Sequence, residues 1–246
     1  MNYVIAETIK TRRTILSYFI FLAPVINVIL CFLMAGSLNI QTFELYWWST
    51  FMIPALTALF CSEHERQNKK SGNDKMLYTY PIDLYRFRNA GIAALSVKLF
   101  WVYLAMAVVS VVSTFFLGVL RISYGVAVGS YLILYICSLW MVPACLLLSR
   151  YMNIYILLCV HVVLNIMLPA FVADTPLWVI CPYSYGPKAI EALAGIKVSG
   201  DYIAPQGVNL TVLIAVALSL VVFPALSIWE SKLYNRGFFE KRVKSR

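Results

Sequence analysis

Charge is scarce in this sequence, and long stretches have none. Charged residues make up 13% of the 246 residues and hydrophobic residues 61%, whereas soluble domains have about 25% charged and about 45–50% apolar residues. A water-soluble domain of this size cannot bury that much apolar surface. The composition therefore excludes an ordinary soluble enzyme or binding domain and predicts an integral membrane protein.

The sequence also lacks the motifs of several catalytic classes. It has no G-x-x-x-x-G-K-[ST] phosphate loop, which would bind and hydrolyse ATP, and no H-E-x-x-H or G-x-S-x-G motif. Its six cysteines include no C-x-x-C pair and are interpreted as small apolar packing residues. We therefore expect no catalytic residue, no bound metal and no cofactor in this chain.

Six apolar runs are long enough for transmembrane helices, which need roughly 20 residues to cross about 30 Å of hydrocarbon. They are 17–36, 45–61, 99–120, 125–148, 154–173 and 210–229. The middle of the predicted membrane contains no Asp or Glu. The loops are too short for a second folded domain, so residues 1–246 are predicted to form one all-α, polytopic membrane domain.

The basic residues predict the orientation of these six helices. Of the 20 Lys and Arg residues, only Arg121, Lys188 and Lys197 fall on the sparsely charged face. Because Lys and Arg near short loops are retained on the cytoplasmic side, both termini and loop 62–89 are predicted to be cytoplasmic. This asymmetry and contact with anionic lipid explain the net charge of +9 without a nucleic-acid partner.

The first 14 residues have the pattern of a short interfacial helix. Val4, Ile5 and Ile9 fall on one helical side, and the charged residues fall elsewhere. Such a helix lies in the membrane interface before the chain enters the bilayer. A frayed basic arm is the alternative.

Loop 62–89 contains a predicted short helix of a different kind. Asn73 and Asp74 can cap its first turn, and Pro81 limits its end because the residue before a proline is pushed out of helical conformation. The apolar or amphipathic residues between cap and stop are Met76, Leu77, Tyr78 and Tyr80. In a charged loop such side chains bury against another protein or against the bilayer surface, and both alternatives stay open.

On the opposite face, residues 174–209 are too apolar for a solvated loop and too interrupted to span the membrane. A re-entrant or interfacial segment fits, because aromatic residues prefer the headgroup level. Its expected anchors are Trp178, Pro182, Tyr183 and Tyr185. An ordinary outer loop is the alternative.

His161 is the one ionisable side chain near the middle of a predicted span, and Asn165 follows on the same helical face. Intramembrane ionisable residues mark functional sites by default. A neutral histidine also commonly hydrogen-bonds a neighbouring helix. The second interpretation is the simpler one for His161 and Asn165.

Several short stretches, taken in chain order, resemble a known family. They are Ala6–Thr14 leading into a span with Pro24, Glu63-x-Glu65, Asn68-Lys69-Lys70, Lys75-Met76-Leu77 with Pro81, and Pro182–Tyr185. Together they resemble ABC transporter permeases of the lantibiotic-immunity, or bacteriocin self-protection, family. The resemblance covers essentially the whole chain.

The resemblance implies a six-helix subunit of a bacterial cell membrane. It implies pairing with a second permease, identical or different, on a cytoplasmic ATPase dimer that binds ATP and Mg. A coupling helix in loop 62–89 would dock on that ATPase. Its polar contacts would be Glu63, Glu65 and Asp74, and its buried anchors Met76, Leu77, Tyr78 and Tyr80.

The cargo implied by the resemblance is a lantibiotic-like, cationic amphipathic peptide that is expelled from the membrane. Two other classes of function remain compatible with the residues. One is a stand-alone channel or secondary carrier, and the other is an intramembrane lipid-modifying enzyme.

Overall fold

The computed structural model describes residues 3–4, 7, 17–70, 83–117 and 120–244. Helices make up 84% of the structure, and no strand occurs within these ranges, so the predicted all-α class is confirmed for them. The predicted coupling helix at 75–80 lies outside the described residues. So does most of the predicted N-terminal helix.

Within the described ranges the α-helices are α1 Phe19–Trp47, α2 Ile53–Lys70, α3 Leu84–Leu117, α4 Tyr124–Ser138, α5 Met141–Leu148, α6 Ile154–Val172, α7 Tyr185–Ala194 and α8 Leu210–Lys244. A π-helical turn, Trp48–Met52, joins α1 to α2. Two 3-10 turns, Pro176–Val179 and Pro182–Ser184, precede α7.

Four helical segments of the described chain are long and apolar enough to cross a membrane: Phe19–Asn68, Leu84–Leu117, Ile154–Val172 and Leu210–Asn235. The bent pair formed by α4 and α5 makes a fifth if it is a single span. Large apolar side chains such as Leu33, Phe116 and Phe171 project outward, each 75% exposed. Such surfaces are stable against lipid and not against water, so the protein is membrane-embedded.

Segment Phe19–Asn68 reverses direction at Gly36. This glycine has φ 64° and ψ −173°, a region of backbone conformation that is essentially restricted to glycine. The side-chain amide of Asn27 donates to the carbonyl oxygen of Glu44 at 3.2 Å. In an uninterrupted helix those residues would be about 25 Å apart, at about 1.5 Å per residue. The two parts of α1 therefore pack side by side.

The bend between α4 and α5 measures 43° and has its cause in Pro143. A proline has no N–H and cannot donate to the carbonyl four residues earlier, which here belongs to Leu139. The Val142 N–H donates to that carbonyl instead, at 3.1 Å. The predicted span 125–148 is thus two helices with a tightened turn between them.

Helix α3 begins well before the predicted span 99–120. Asp83 caps it by accepting from the N–H groups of Tyr85 and Arg86 at 3.0 and 3.3 Å, which satisfies donors that a helix start leaves free. With 34 residues and a rise of about 1.5 Å per residue, α3 is about 50 Å long and exceeds the roughly 30 Å hydrocarbon layer. Its first turns therefore extend beyond the apolar zone.

The core is centred on aromatic residues of the π-helical turn, α3 and α4. Trp48 and Tyr103 are fully buried, and their rings meet edge to face with centroids 6.2 Å apart. The Tyr103 hydroxyl donates to Ser138 Oγ at 2.8 Å. This bond satisfies a buried polar group between two helices.

Two ends of the bundle can be distinguished. At the Gly36 end, Gln41 Oε1 accepts from the N–H groups of Arg121 and Ile122 at 3.1 and 2.9 Å, which fixes the connection between α3 and α4 there. At the other end, α2 finishes, α3 starts and the turn between α5 and α6 carries Arg150. We call this second end the basic end. Helix α7 packs between α4 and α8, where Ala189 is fully buried.

Candidate functional site

Ionised side chains from four segments meet at the basic end of the bundle. Arg88 Nε donates to Glu230 Oε1 at 2.7 Å, and a terminal nitrogen of Arg88 pairs with Glu65. Arg150 also pairs with Glu230. The Arg88 and Glu230 side chains are only 1% and 0% exposed. We call Glu65, Arg88, Arg150 and Glu230 the ionic cluster.

The ionic cluster is electrically balanced and closed on one side by an aromatic ring. Its two carboxylates face two guanidinium groups. The ring of Tyr234 lies 4.8 Å from the Arg88 guanidinium and 5.0 Å from that of Arg150, in the range of cation–π attraction. Removing one partner from such a buried arrangement leaves an unpaired charge, which is far more costly than losing a surface pair.

The position of the ionic cluster relates it to segment 71–82. This segment connects α2, which carries Glu65, to α3, which carries Arg88. The Glu65–Arg88 pair therefore links the helices on both sides of the segment. Glu230 adds α8 to the same contact, and Arg150 adds the turn between α5 and α6. A displacement of α2 or α3 would therefore either strain these ion pairs or move α8 and the turn between α5 and α6 as well.

The predicted coupling residues divide into two groups. Glu65 is buried in the ionic cluster, and Glu63 accepts from Arg66 at 2.6 Å and from Gln67 at 3.2 Å. The remaining predicted contacts lie outside the described residues: Asp74, Met76, Leu77, Tyr78 and Tyr80. The structure thus assigns Glu65 an internal ion pair, whereas the resemblance implied a contact with a partner.

A cavity of about 530 Å³ opens beside the ionic cluster. It lies between α2 and the start of α6, and its lining combines Glu63 and Glu65 with the apolar surfaces of Met152 and Tyr155. Tyr155 is 84% exposed. Arg66 also lines the cavity and pairs with Glu63, and Glu65 pairs with Arg88, so both lining carboxylates already have a basic partner.

His161 is fully buried on α6 and contacts the segment before α7. Its Nδ1 lies 3.2 Å from the Tyr183 hydroxyl. Tyr183 also packs edge to face against Trp140, with ring centroids 4.7 Å apart. His161 and Tyr183 therefore join α6 to the segment that precedes α7, and Trp140 joins both to the bend between α4 and α5.

Asn165 satisfies backbone carbonyls that the π-helical turn leaves free. Pro54 has no N–H for the Thr50 carbonyl, and the Ile53 N–H donates to the Trp48 carbonyl in the π pattern. The carbonyl oxygens of Ser49 and Thr50 therefore lack the N–H donors that a regular α-helix would provide. The Asn165 amide donates to both carbonyl oxygens, at 2.9 and 2.8 Å, as an interior without water requires.

The predicted outer anchors lie close together in the structure. Trp178 and Pro182 belong to the two 3-10 turns before α7. The Tyr185 hydroxyl donates to the Val179 carbonyl at 2.8 Å, and its ring meets Trp178 edge to face, with centroids 6.5 Å apart. These contacts fold residues 176–185 on themselves before α7 begins.

Sequence reasoning missed the buried carboxyl group of Glu44. It lies inside candidate span Phe19–Asn68 and is fully buried, whereas the sequence analysis named no acidic residue within a span. The predicted second span, 45–61, begins one residue after Glu44. Gly36 was the available signal, since a turn there places Glu44 about two helical turns inside the bundle.

The three other ionic-cluster members, Arg88, Arg150 and Glu230, were also missed as site residues. Their partners are far apart in sequence, and no local pattern predicts them. Among the described residues no group of three His, Cys, Asp or Glu side chains could hold a metal ion. Comparisons with family models, characterised proteins and solved structures find no match to this chain.

We predict that Asn165→Leu destabilises the purified protein by about 1–2 kcal/mol, because the Ser49 and Thr50 carbonyls lose their shared donor. In a Pro54→Ala background the loss should be smaller, since residue 54 then has an N–H for Thr50. A double-mutant cycle of thermal denaturation in detergent measures this coupling. Met167→Leu, at an exposed position on the same helix, is the control. Equal losses in both backgrounds would contradict the role given to Pro54.

We predict that Glu230→Gln is strongly destabilising, by about 3–5 kcal/mol, because the buried Arg88 and the partly buried Arg150 then lose the carboxylate that they share. The double variant Glu230→Gln with Arg150→Gln restores neutrality and should recover part of the loss. Arg86→Gln is the matched control, because its pair with Asp83 is exposed. The measurement is the denaturation midpoint of each variant. A double variant that is less stable than Glu230→Gln alone would contradict the charge balance of the ionic cluster.

Proposed function

We propose that this chain is the membrane subunit of an ATP-driven ABC exporter and that segment 71–82 couples it to a partner ATPase. The observation that carries the proposal is the ionic cluster, which ties the helices on both sides of that segment to α8 and to the turn between α5 and α6. A loop that only connected two spans would not need a buried ionic cluster to hold the helices on both sides of it together. The resemblance to lantibiotic-immunity permeases points the same way.

The mechanism follows from this connection. The ATPase dimer closes on ATP and Mg and moves the docked segment 71–82. Glu65 and Arg88 pass the displacement to α2 and α3, and Glu230 passes it to α8. A second permease, identical or different, faces this one, and the opening between the two changes. The chain itself hydrolyses nothing, so it is a permease and not an enzyme.

Six transmembrane helices are the arrangement that best fits this role. In this proposed arrangement Phe19–Asn68 forms two spans, a division that the backbone reversal at Gly36 supports. Counting the bent pair of α4 and α5 as one span then gives 19–36, 37–70, 84–117, 124–148, 154–172 and 210–244 as the membrane helices and their extensions. Residues 174–209, with α7, form the re-entrant or interfacial segment at the Gly36 end.

The orientation and cargo complete the proposal. In this proposal the basic end and both termini lie in the cytoplasm, which the excess of Lys and Arg supports, and the cell is bacterial, as the resemblance implies. The cargo is a lantibiotic-like cationic peptide, as the resemblance implies. A secondary carrier is the second candidate, because Glu44 is a buried carboxyl in a candidate span.

The six-span arrangement predicts opposite accessibility of two engineered thiols. In a background with Cys159 and Cys181 changed to Ser, an impermeant maleimide should label Ser37→Cys in intact cells. Lys232→Cys should react only after permeabilisation. Both positions are exposed, so burial does not mask either thiol. Labelling of Lys232→Cys from outside would overturn the arrangement.

The coupling role predicts that Leu77→Ala with Tyr78→Ala, in the undescribed segment, releases the ATPase. Loss of two buried anchors should remove on the order of 2 kcal/mol or more of docking energy. Co-purification of an ATPase encoded beside this chain and resistance to the peptide should both fall, while membrane abundance stays constant. A carrier would keep its activity.

The control is Tyr85→Ala, which removes a partly exposed aromatic ring just after the segment. It should leave co-purification unchanged. Should the double variant retain both the ATPase and activity, segment 71–82 merely rests on lipid and the exporter proposal fails.

A further inference from the structure

One carboxyl group lies inside the bundle toward the Gly36 end, apart from the ionic cluster. Glu44 follows Gly36 by about two helical turns and is fully buried in the second part of α1. Ser110 on α3 and Tyr131 on α4 are buried to the same degree, with at most 1% of their surface exposed. Neither the ionic cluster nor the proposed coupling mechanism uses these side chains.

Hydroxyl groups of α3 hydrogen-bond the Glu44 carboxyl. Ser113 Oγ donates to Glu44 Oε1 at 2.7 Å. The Ser110 hydroxyl forms a second hydrogen bond with the carboxyl and a further one with the Tyr131 hydroxyl. The Glu44 side chain therefore connects the second part of α1 to α3 directly, and to α4 through Ser110.

No positive charge balances this carboxyl. Among the described residues no Lys, Arg or His forms an ion pair with Glu44. The titratable groups that face it are Cys31 in the first part of α1 and Tyr131 on α4, and neither is cationic. A carboxylate buried without a cation is so costly that the group is neutral instead. The neutral acid keeps its contacts with α3, because its carbonyl oxygen accepts from Ser113 and its O–H can donate to Ser110.

We propose that Glu44 is a proton-binding site inside the bundle and that the bound proton holds the second part of α1, α3 and α4 together. The ligand is a single proton. Its loss leaves an unbalanced negative charge between three helices, so packing toward the Gly36 end is tight when Glu44 is protonated and loosens when it is not. The site requires no ATPase and is therefore independent of the exporter function.

The first test makes the same substitution at two buried carboxyl groups. Glutamine has the shape of a neutral glutamic acid, so Glu44→Gln should keep the thermal midpoint of the purified full-length chain in detergent close to the native value at neutral pH. Glu230→Gln should lower it, because its arginine partners stay charged. As the pH rises, the native midpoint should fall relative to that of Glu44→Gln, since the folded state binds a proton that the unfolded chain releases. Equal pH profiles for the native chain and Glu44→Gln would overturn the proposal.

Infrared spectroscopy of the folded full-length chain keeps the proposal testable if Glu44→Gln does not fold. A neutral carboxylic acid has a C=O stretching band that a carboxylate lacks, and we expect this band at neutral pH. Ser113→Ala should move it to higher frequency, because the Glu44 carbonyl oxygen loses its donor. Ser130→Ala should leave it in place, because the buried Ser130 hydroxyl donates within its own helix to the Val126 carbonyl. Absence of the band, or a band that Ser113→Ala does not move, would contradict a protonated Glu44.

Discussion

The structure depends on one constraint: in a bilayer, each backbone N–H and C=O needs a partner inside the protein. Regular helices meet it along most of the chain. Where helices are interrupted, side-chain amides take over. Asn165 donates to the two carbonyls freed by the π-helical turn, and Gln41 both donates to and accepts from the backbone at Arg121 and Ile122. Side-chain amides inside the bundle thus mark the interrupted helices.

The same constraint applies to charge, and the two ends of the bundle satisfy it differently. At the basic end, buried carboxylates and guanidinium groups neutralise each other within the ionic cluster, and Tyr234 covers them. Toward the Gly36 end, the Glu44 carboxyl accepts from the Ser113 hydroxyl, and no basic side chain among the described residues forms an ion pair with it. The protein therefore neutralises opposite charges within a side-chain cluster at one end and holds a single hydrogen-bonded carboxyl group at the other.

The sequence allowed the all-α class to be predicted, because uninterrupted apolar runs can only be helices when they cross lipid. It did not allow the helix ends to be placed, since Asp83 and the charged residues after Trp229 extend helices past the apolar zone. The ionic cluster was beyond reach for a different reason. Arg88 and Glu230 are 142 positions apart, and pairing at that distance follows from packing. The position of Glu44 inside the bundle could have been predicted from the sequence if the turn had been placed at Gly36.

The contacts also form a continuous path between the two ends. Helix α2 starts from the π-helical turn and ends at the ionic cluster through Glu65. Asn165 on α6 holds that turn, and one helical turn earlier on α6, His161 contacts Tyr183 in the segment before α7. A π-helical turn is an irregular hydrogen-bond arrangement that is frequent at functional sites. Movement of α2 at the basic end must therefore be absorbed at Trp48–Met52 or passed through α6 to the segment at the opposite end.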